Sequence, residues 1–125
     1  MQKTIETLGG KTVELNPADV GTMERLEEAV KVSSKSFQTL SKKIAKMTAD
    51  TVDITVLKTM CETVRTFTDS VFGEGTANRL FADNNDVEEL VSFYGDVLTA
   101  FDEEGNRLTG VLTKMWNVGG SDDSK

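Results

Sequence analysis

The sequence predicts a mainly α protein in which an N-terminal β-hairpin packs on a bundle of three to four amphipathic helices. Two patterns carry this reading. Apolar residues recur three and four positions apart through three long stretches, the period of a helix with one buried face. Period-two alternation appears instead at residues 1–15, on either side of Gly9-Gly10. The breaks between the stretches hold residues suited to capping helices, so residues 1–118 read as a single domain, followed by a flexible acidic tail at 119–125. A chain of 125 residues buries roughly two-thirds of its unfolded surface, enough for an ordinary core.

The opening "TIETLGGKTVELN" gives the hairpin. Ile5 and Thr7 alternate before the glycine pair, Val13 and Leu15 after it, and the glycines supply the positive φ of a tight turn. A lone hairpin is marginal in water, so Ile5, Val13 and Leu15 must lie on the helices. "NPAD" starts the first helix, with Asn16 as N-cap, Pro17 at the first helical position and Asp19 near the positive end of the dipole. Val20, Met23, Leu26, Val30, Phe37, Leu40, Ile44 and Met47 form its stripe. One turn is missed at "SSKS", Ser33 to Ser36, which softens the helix there.

Asp50 starts a second helix, whose stripe is Leu57, Met60, Val64, Phe67 and Val71, with Cys61 and Phe72 beside it. The chain then turns a corner in "VFGEGTANRLF". Gly73 closes one helix, Gly75 turns the chain, and Thr76 caps a short helix that carries Leu80 and Phe81. Phe72 and Phe81 enter the same core from either side of that corner. Asp86 and Glu89 have the spacing of a capping box ahead of a last helix with Leu90, Val91, Tyr94, Val97, Leu98 and Phe101. That helix either stops at Gly105-Asn106 or runs on, since Leu108, Val111, Leu112, Met115 and Trp116 stay in phase.

Chemistry is scarce. The chain has no histidine, so the commonest general base and transition-metal ligand are missing. Cys61 sits on an apolar helix without a histidine partner and reads as a buried, inert thiol. "DNND", Asp83 to Asp86, lacks the alternating ligands and central glycine of an EF-hand and reads as helix capping. Asp102, Glu103 and Glu104 read as solvated surface. Gly73-x-Gly75 is no phosphate cradle: no strand precedes it, no Lys follows it and Glu74 sits inside it. No catalytic residue, cofactor or metal is expected.

Charge points to partners. The net charge is −7, but residues 1–46 hold eight Lys/Arg against six Asp/Glu, while 47–125 hold six against fifteen. Such a chain suits neither nucleic acid nor, lacking a long apolar run, a membrane span. A basic partner or self-association of unlike ends fits better. Lys31, Lys35, Lys42 and Lys46 share a helix face that is either solvated or a docking surface for an acidic partner. With one cysteine and no signal peptide at "MQKTIETLGG", a cytoplasmic location is expected.

Residues 60 to 101 carry a resemblance. Cys61-Glu62-Thr63-Val64-Arg65, then "VFGEGT" at 71 to 76, Leu80-Phe81 and Asn84-Asn85 follow in the order typical of the tail assembly chaperones of long-tailed bacteriophages and prophages of Gram-positive bacteria. The hairpin and the acidic helix "ADVGTMERLEEAVKV" also resemble that family's opening. The chain departs from it in the long apolar end "EEGNRLTGVLTKMW" and at Ala82-Asp83, where the family often has glycines and a lysine. The resemblance implies a non-enzymatic protein of the host bacterial cytoplasm that self-associates and holds the long helical tape-measure protein soluble during tail assembly. Met23, Met47, Met60, Met115 and Trp116 lie on or near apolar stripes and serve either as core or as adaptable partner-binding side chains. An acidic inhibitor or adaptor that covers a basic surface, and a structural tail component, are the alternatives.

Because the ligands for a metal are absent from the pattern, melts recorded with excess EDTA and with added calcium should coincide. A shift of several degrees would overturn the capping role of "DNND".

Overall fold

A computed structural model describes residues 2–120, of which 116–120 are described as helical backbone. The order is β1 (Lys3–Glu6), β2 (Thr12–Leu15), α1 (Val20–Ala45), α2 (Ile54–Phe72), α3 (Thr76–Phe81) and α4 (Val87–Gly120). The fold is mainly α with an N-terminal hairpin, as the periodicity predicts. The strands pair antiparallel in the register Lys3↔Leu15 and Ile5↔Val13. Ile5, Val13 and Leu15 are buried, and β1 lies against α4.

The starts of α1, α2 and α3 differ slightly from their sequence expectations. Asp19, not Asn16, is the N-cap of α1: its carboxylate accepts from the Thr22 N–H at 2.9 Å and from the Thr22 hydroxyl at 3.0 Å. The Thr22 N–H holds that carboxyl below its ordinary range. Asn16 instead shapes the preceding turn, where its Oδ1 accepts from the Ala18 N–H, and Pro17 lies before the helix. Asp53, not Asp50, caps α2 by accepting from the N–H groups of Thr55 and Val56. In both places two side chains could cap, and the one nearer the packed stripe wins.

α1 and α2 form an antiparallel pair, since Arg25 meets Val71 while Ser36 meets Thr63. α1 is continuous through Ser33–Ser36. The missed turn in its stripe is where serines face inward: Ser33 is buried and shares a 2.8 Å hydrogen bond with the Tyr94 hydroxyl. Cys61 belongs to the core and is buried with Val64, Phe67 and Val71. Its thiol is pushed up by that burial.

The corner is built as expected except at its cap. Gly73 (φ +116) ends α2, and Gly75 (φ +92) is the N-cap of α3, both in backbone regions that side-chain-bearing residues avoid. Thr76 is the first helical residue, not the cap. The carboxylate of Asp69 takes that task from α2, accepting from the Ala77 N–H at 2.8 Å. Phe81 is buried and Phe72 partly buried, and both pack on Phe93, with ring centroids 5.5 and 6.1 Å away.

α4 runs unbroken through Gly105 to Gly120, about 51 Å at 1.5 Å per residue. Residues 119 and 120 thus end the helix, and 121–125 of the expected tail lie outside the described residues. The acidic run on α4 is not simply solvated. Glu103 pairs with Lys3 of the hairpin at 3.4 Å, and Glu104 is 1% exposed, clasped by Arg107. The Arg107 hydrogen bonds hold the Glu104 carboxyl below its ordinary range. No described helix is long and apolar enough to cross a membrane.

Two outcomes follow from the packing. Phe81→Ala should cost about 3–5 kcal/mol in a denaturant titration, as a buried ring lost between Phe93 and α2. Ala82 has φ +51 and ψ −128, a conformation that costs an L-residue about 1–3 kcal/mol, whereas glycine's added chain entropy costs about 0.5–1. Ala82→Gly should therefore stabilise the fold by about 1 kcal/mol, the difference of those two effects; a loss would refute the strain.

Candidate functional site

Two assemblies share α2. One edge of the helix carries Cys61, Arg65 and Asp69, spaced by four and so aligned on one face. All three address the chain that leaves the corner. Arg65 Nη2 donates to the carbonyls of Ala82 (2.9 Å) and Asn84 (2.7 Å), Nε donates to Asn85 Oδ1 (2.9 Å), and Nη1 reaches Asn78 Oδ1 at 3.5 Å. Its guanidinium also lies 5.8 Å from the centre of the Phe81 ring. The Cys61 thiol donates to the Asn85 carbonyl. Among the described residues no carboxylate pairs with Arg65; a planar fork with five donors is used to saturate neutral acceptors of the loop and of Asn78 on α3.

The loop passes the order on. Asp86 caps α4 by accepting from the Glu89 N–H at 3.2 Å. Glu89 does not complete the expected capping box. It is buried, and its two oxygens accept from Asn84 Nδ2 (2.9 Å) and from the Gly9 N–H of the hairpin turn (3.2 Å). A Cβ on Gly9 would stand 3.0 Å from Glu89 Oε2, a contact that would oblige the carboxylate to shift. These carboxylates are structural. Among the described residues no group of three or more His, Cys, Asp or Glu could hold a metal ion.

The opposite side of α2 forms a groove with α1, of about 620 Å³. Ala29, Val32, Ser33 and Phe67 line it, and small side chains (Gly21, Ser36, Thr59, Thr63, Thr66, Ser70) keep the helices' facing surfaces low. Two bridges tie α1 to α2. Arg25 Nε donates to the Val71 carbonyl near the end of α2 at 3.2 Å, and the hydroxyls of Ser36 and Thr63 meet at 2.8 Å. Tyr94 supports Ser33, with its ring against Phe37 and Phe67. Glu24, Glu28 and Glu62 stand exposed along the groove. Val32 remains 55% exposed, an apolar side chain held in water. The arrangement is an apolar trough with an anionic margin.

The corner residues Phe72, Gly73, Gly75, Thr76, Leu80 and Phe81 do come together. The methionines do not. Met23, Met47 and Met60 are partly buried on or beside α1 and α2, outside the groove, with Met47 Sδ accepting from the Asp53 N–H. Met115 is 65% exposed on α4, and the side chain of Trp116 lies outside the described residues. Lys31, Lys35, Lys42 and Lys46 are exposed. The sequence reading missed the groove, although the gap in the α1 stripe marked it. It also missed the loop-binding role of Arg65, which the spacing of Cys61, Arg65 and Asp69 on the polar edge of an otherwise apolar helix could have signalled.

A model of a family of unknown function (DUF6673) matches residues 9–118. The chain belongs to that family. No curated protein and no solved structure matches it.

Arg65→Lys keeps the charge but cannot span four acceptors, so it should lose about 1–3 kcal/mol through unsatisfied loop carbonyls. Urea titration of the two proteins measures it. Equal midpoints would show the guanidinium to be dispensable.

Proposed function

We propose that this protein is a non-enzymatic assembly chaperone of bacteriophage tails, which holds helical segments of the tape-measure protein in the α1–α2 groove within the host bacterial cytoplasm. The groove carries the reading: it is apolar at its centre, anionic at its margin and flanked by small residues, the chemistry that receives a basic amphipathic helix through anchors at i, i+3, i+4 and i+7. The resemblance in Cys61, Arg65, Leu80-Phe81 and Asn84-Asn85 supports the reading indirectly. Those residues hold the corner together, so likeness in them is likeness of scaffold, which in turn presents α2 to α1.

The acidic-inhibitor alternative draws less support. Of the acidic segment from Asp83 to Glu104 that it would use, Glu89 and Glu104 are buried and engaged within the fold, while Asp83, Glu88, Asp96 and Asp102 stay exposed. Binding energy then comes mainly from apolar burial, and the glutamates contribute orientation and rate more than affinity.

Co-expression with the tape-measure protein tests the proposal. The native chain should keep that long helical protein in the soluble fraction. Val32→Asp, which places a charge in the trough without disturbing the core, should reduce its recovery several-fold. Undiminished recovery with Val32→Asp would remove the groove from the function.

A further inference from the structure

The outer edge of β1 has no partner strand. In an antiparallel ladder, pairs that exchange N–H···O bonds alternate with pairs whose backbone groups point outward. Thr7 donates its N–H to the Lys11 carbonyl across the hairpin turn at 2.8 Å, which makes Thr7 and Lys11 a bonded pair. In the register Glu6↔Thr12, Ile5↔Val13, Thr4↔Glu14 and Lys3↔Leu15, the bonds to β2 then fall on Ile5 and Lys3. The N–H and C=O groups of Thr4 and Glu6 point away from β2. The other strand follows the same alternation, for the Thr12 carbonyl is turned outward and accepts from Arg79 Nη1 at 3.2 Å. Nothing comparable reaches β1. Among the described residues the outward backbone groups of Thr4 and Glu6 have no hydrogen-bond partner.

A cleft of about 430 Å³ opens along that edge, between Lys3–Glu6 and the α4 residues Asp96, Thr99, Ala100 and Glu103. The α4 residues fall at i, i+3, i+4 and i+7 and so share one face of the helix. Three carboxylates and one ammonium border the cleft, a sum of −2. Lys3 and Glu103 pair with each other at 3.4 Å, and Glu6 and Asp96 form no ion pair among the described residues. The cleft therefore joins a row of unused backbone donors and acceptors to two uncompensated carboxylates.

We infer that β1 receives an extended segment of another protein as a third strand, one in which basic and small apolar side chains alternate. Backbone bonds give such an addition its affinity, and side chains give it its choice of partner. An α-helix has no free backbone groups to offer the edge, and an acidic segment would meet like charge. Residues opposite each other in a ladder share a face. Side chains on the face of Thr4 and Glu6 stand beside the Glu6 carboxylate, where a Lys or Arg offsets it. Those on the face of Ile5, which is buried, turn toward the bundle, where Thr99 and Ala100 are small enough to leave room for a Val. β1 spans about 13 Å at 3.3 Å per residue, and Asp96 to Glu103 about 10 Å along α4, so a short segment fills the cleft. The cleft shares no lining residue with the α1–α2 groove, and the inference does not depend on what that groove holds.

The capped peptide Lys-Val-Lys-Val-Lys is the probe, read by amide NMR of the native chain. It should shift the Thr4 and Glu6 amides and slow their exchange, with smaller changes along Asp96–Glu103. The same peptide N-methylated at every residue keeps its charge and side chains but has no backbone donor, and it should not bind. A Glu-Val-Glu-Val-Glu peptide should not bind either. Asp96→Lys, at an exposed position, should keep a folded spectrum and weaken the basic peptide about tenfold by setting like charges together. Silence at Thr4 and Glu6 with about millimolar basic peptide would overturn the inference. So would changes confined to the α1–α2 groove, or Asp96→Lys binding as the native chain does. Equal binding of the N-methylated peptide would leave charge alone as the cause. Thr4 and Glu6 amides that become protected when the protein alone is concentrated would give the edge to a second copy and sink the assignment to another protein.

Discussion

The fold depends on one side chain satisfying one loop. Between α3 and α4 the chain reverses over Ala82–Asp86 with no strand or helix to absorb its backbone polar groups, and such groups must find partners. Arg65 supplies them, donating to two carbonyls and a side-chain amide from a single planar group, while Cys61 takes a further carbonyl. With the loop held to α2, Asp86 stands where it can cap α4, and Glu89 one turn later reaches the hairpin turn at Gly9. The path from α2 through the loop and α4 to the hairpin is thus a continuous set of hydrogen bonds laid over an apolar core. Phe93, against which both Phe72 and Phe81 pack, is the apolar counterpart of Arg65 at the same corner.

This scaffold also divides the work of α2. One edge holds the corner and the other faces α1 across the groove, and the residues on the two edges do not overlap. Motif likeness at Arg65, Leu80-Phe81 and Asn84-Asn85 therefore bears on how the protein is built, whereas the groove is lined by Ala29, Val32, Glu24, Glu28 and Glu62. The serine-rich stretch of α1 belongs to the second group. Ser33 and Ser36 are small enough to leave space above them, and their hydroxyls are satisfied by Tyr94 and Thr63, so the trough is formed without stranding a polar group.

Sequence patterns disclosed what periodicity and steric rules govern. The hairpin, the amphipathic stripes, the glycines of the corner and the convergence of Phe72 and Phe81 on one core all follow from local rules. The continuation of α4 past Gly105 stood as one of two readings, because an in-phase stripe and a glycine point in opposite directions there. Caps were less legible: Asn16 and Asp50 have the right chemistry, but Asp19 and Asp53 lie where packing starts the helix, and Asp69 caps α3 from another element. Arg65, Glu89 and Glu104 were illegible for a related reason. Their partners are 20, 80 and three residues away, and a charged residue in a sequence looks the same whether it faces water or a carbonyl. The groove escaped notice because it is made of small residues on two helices, which leave a gap in a pattern where a large side chain would leave a mark.

Hydrogen exchange of the native protein tests most directly whether the loop is held as firmly as this account requires. The Ala82 and Asn84 amides bond to the carbonyls of Asn78 and Phe81, within the loop that Arg65 clasps. If the clasp anchors the corner, these amides should exchange as slowly as those in the middle of α2, by opening of the whole domain. Exchange as fast as at Thr51, whose amide closes an exposed turn between α1 and α2, would show that the loop opens by itself and that the fold does not depend on it.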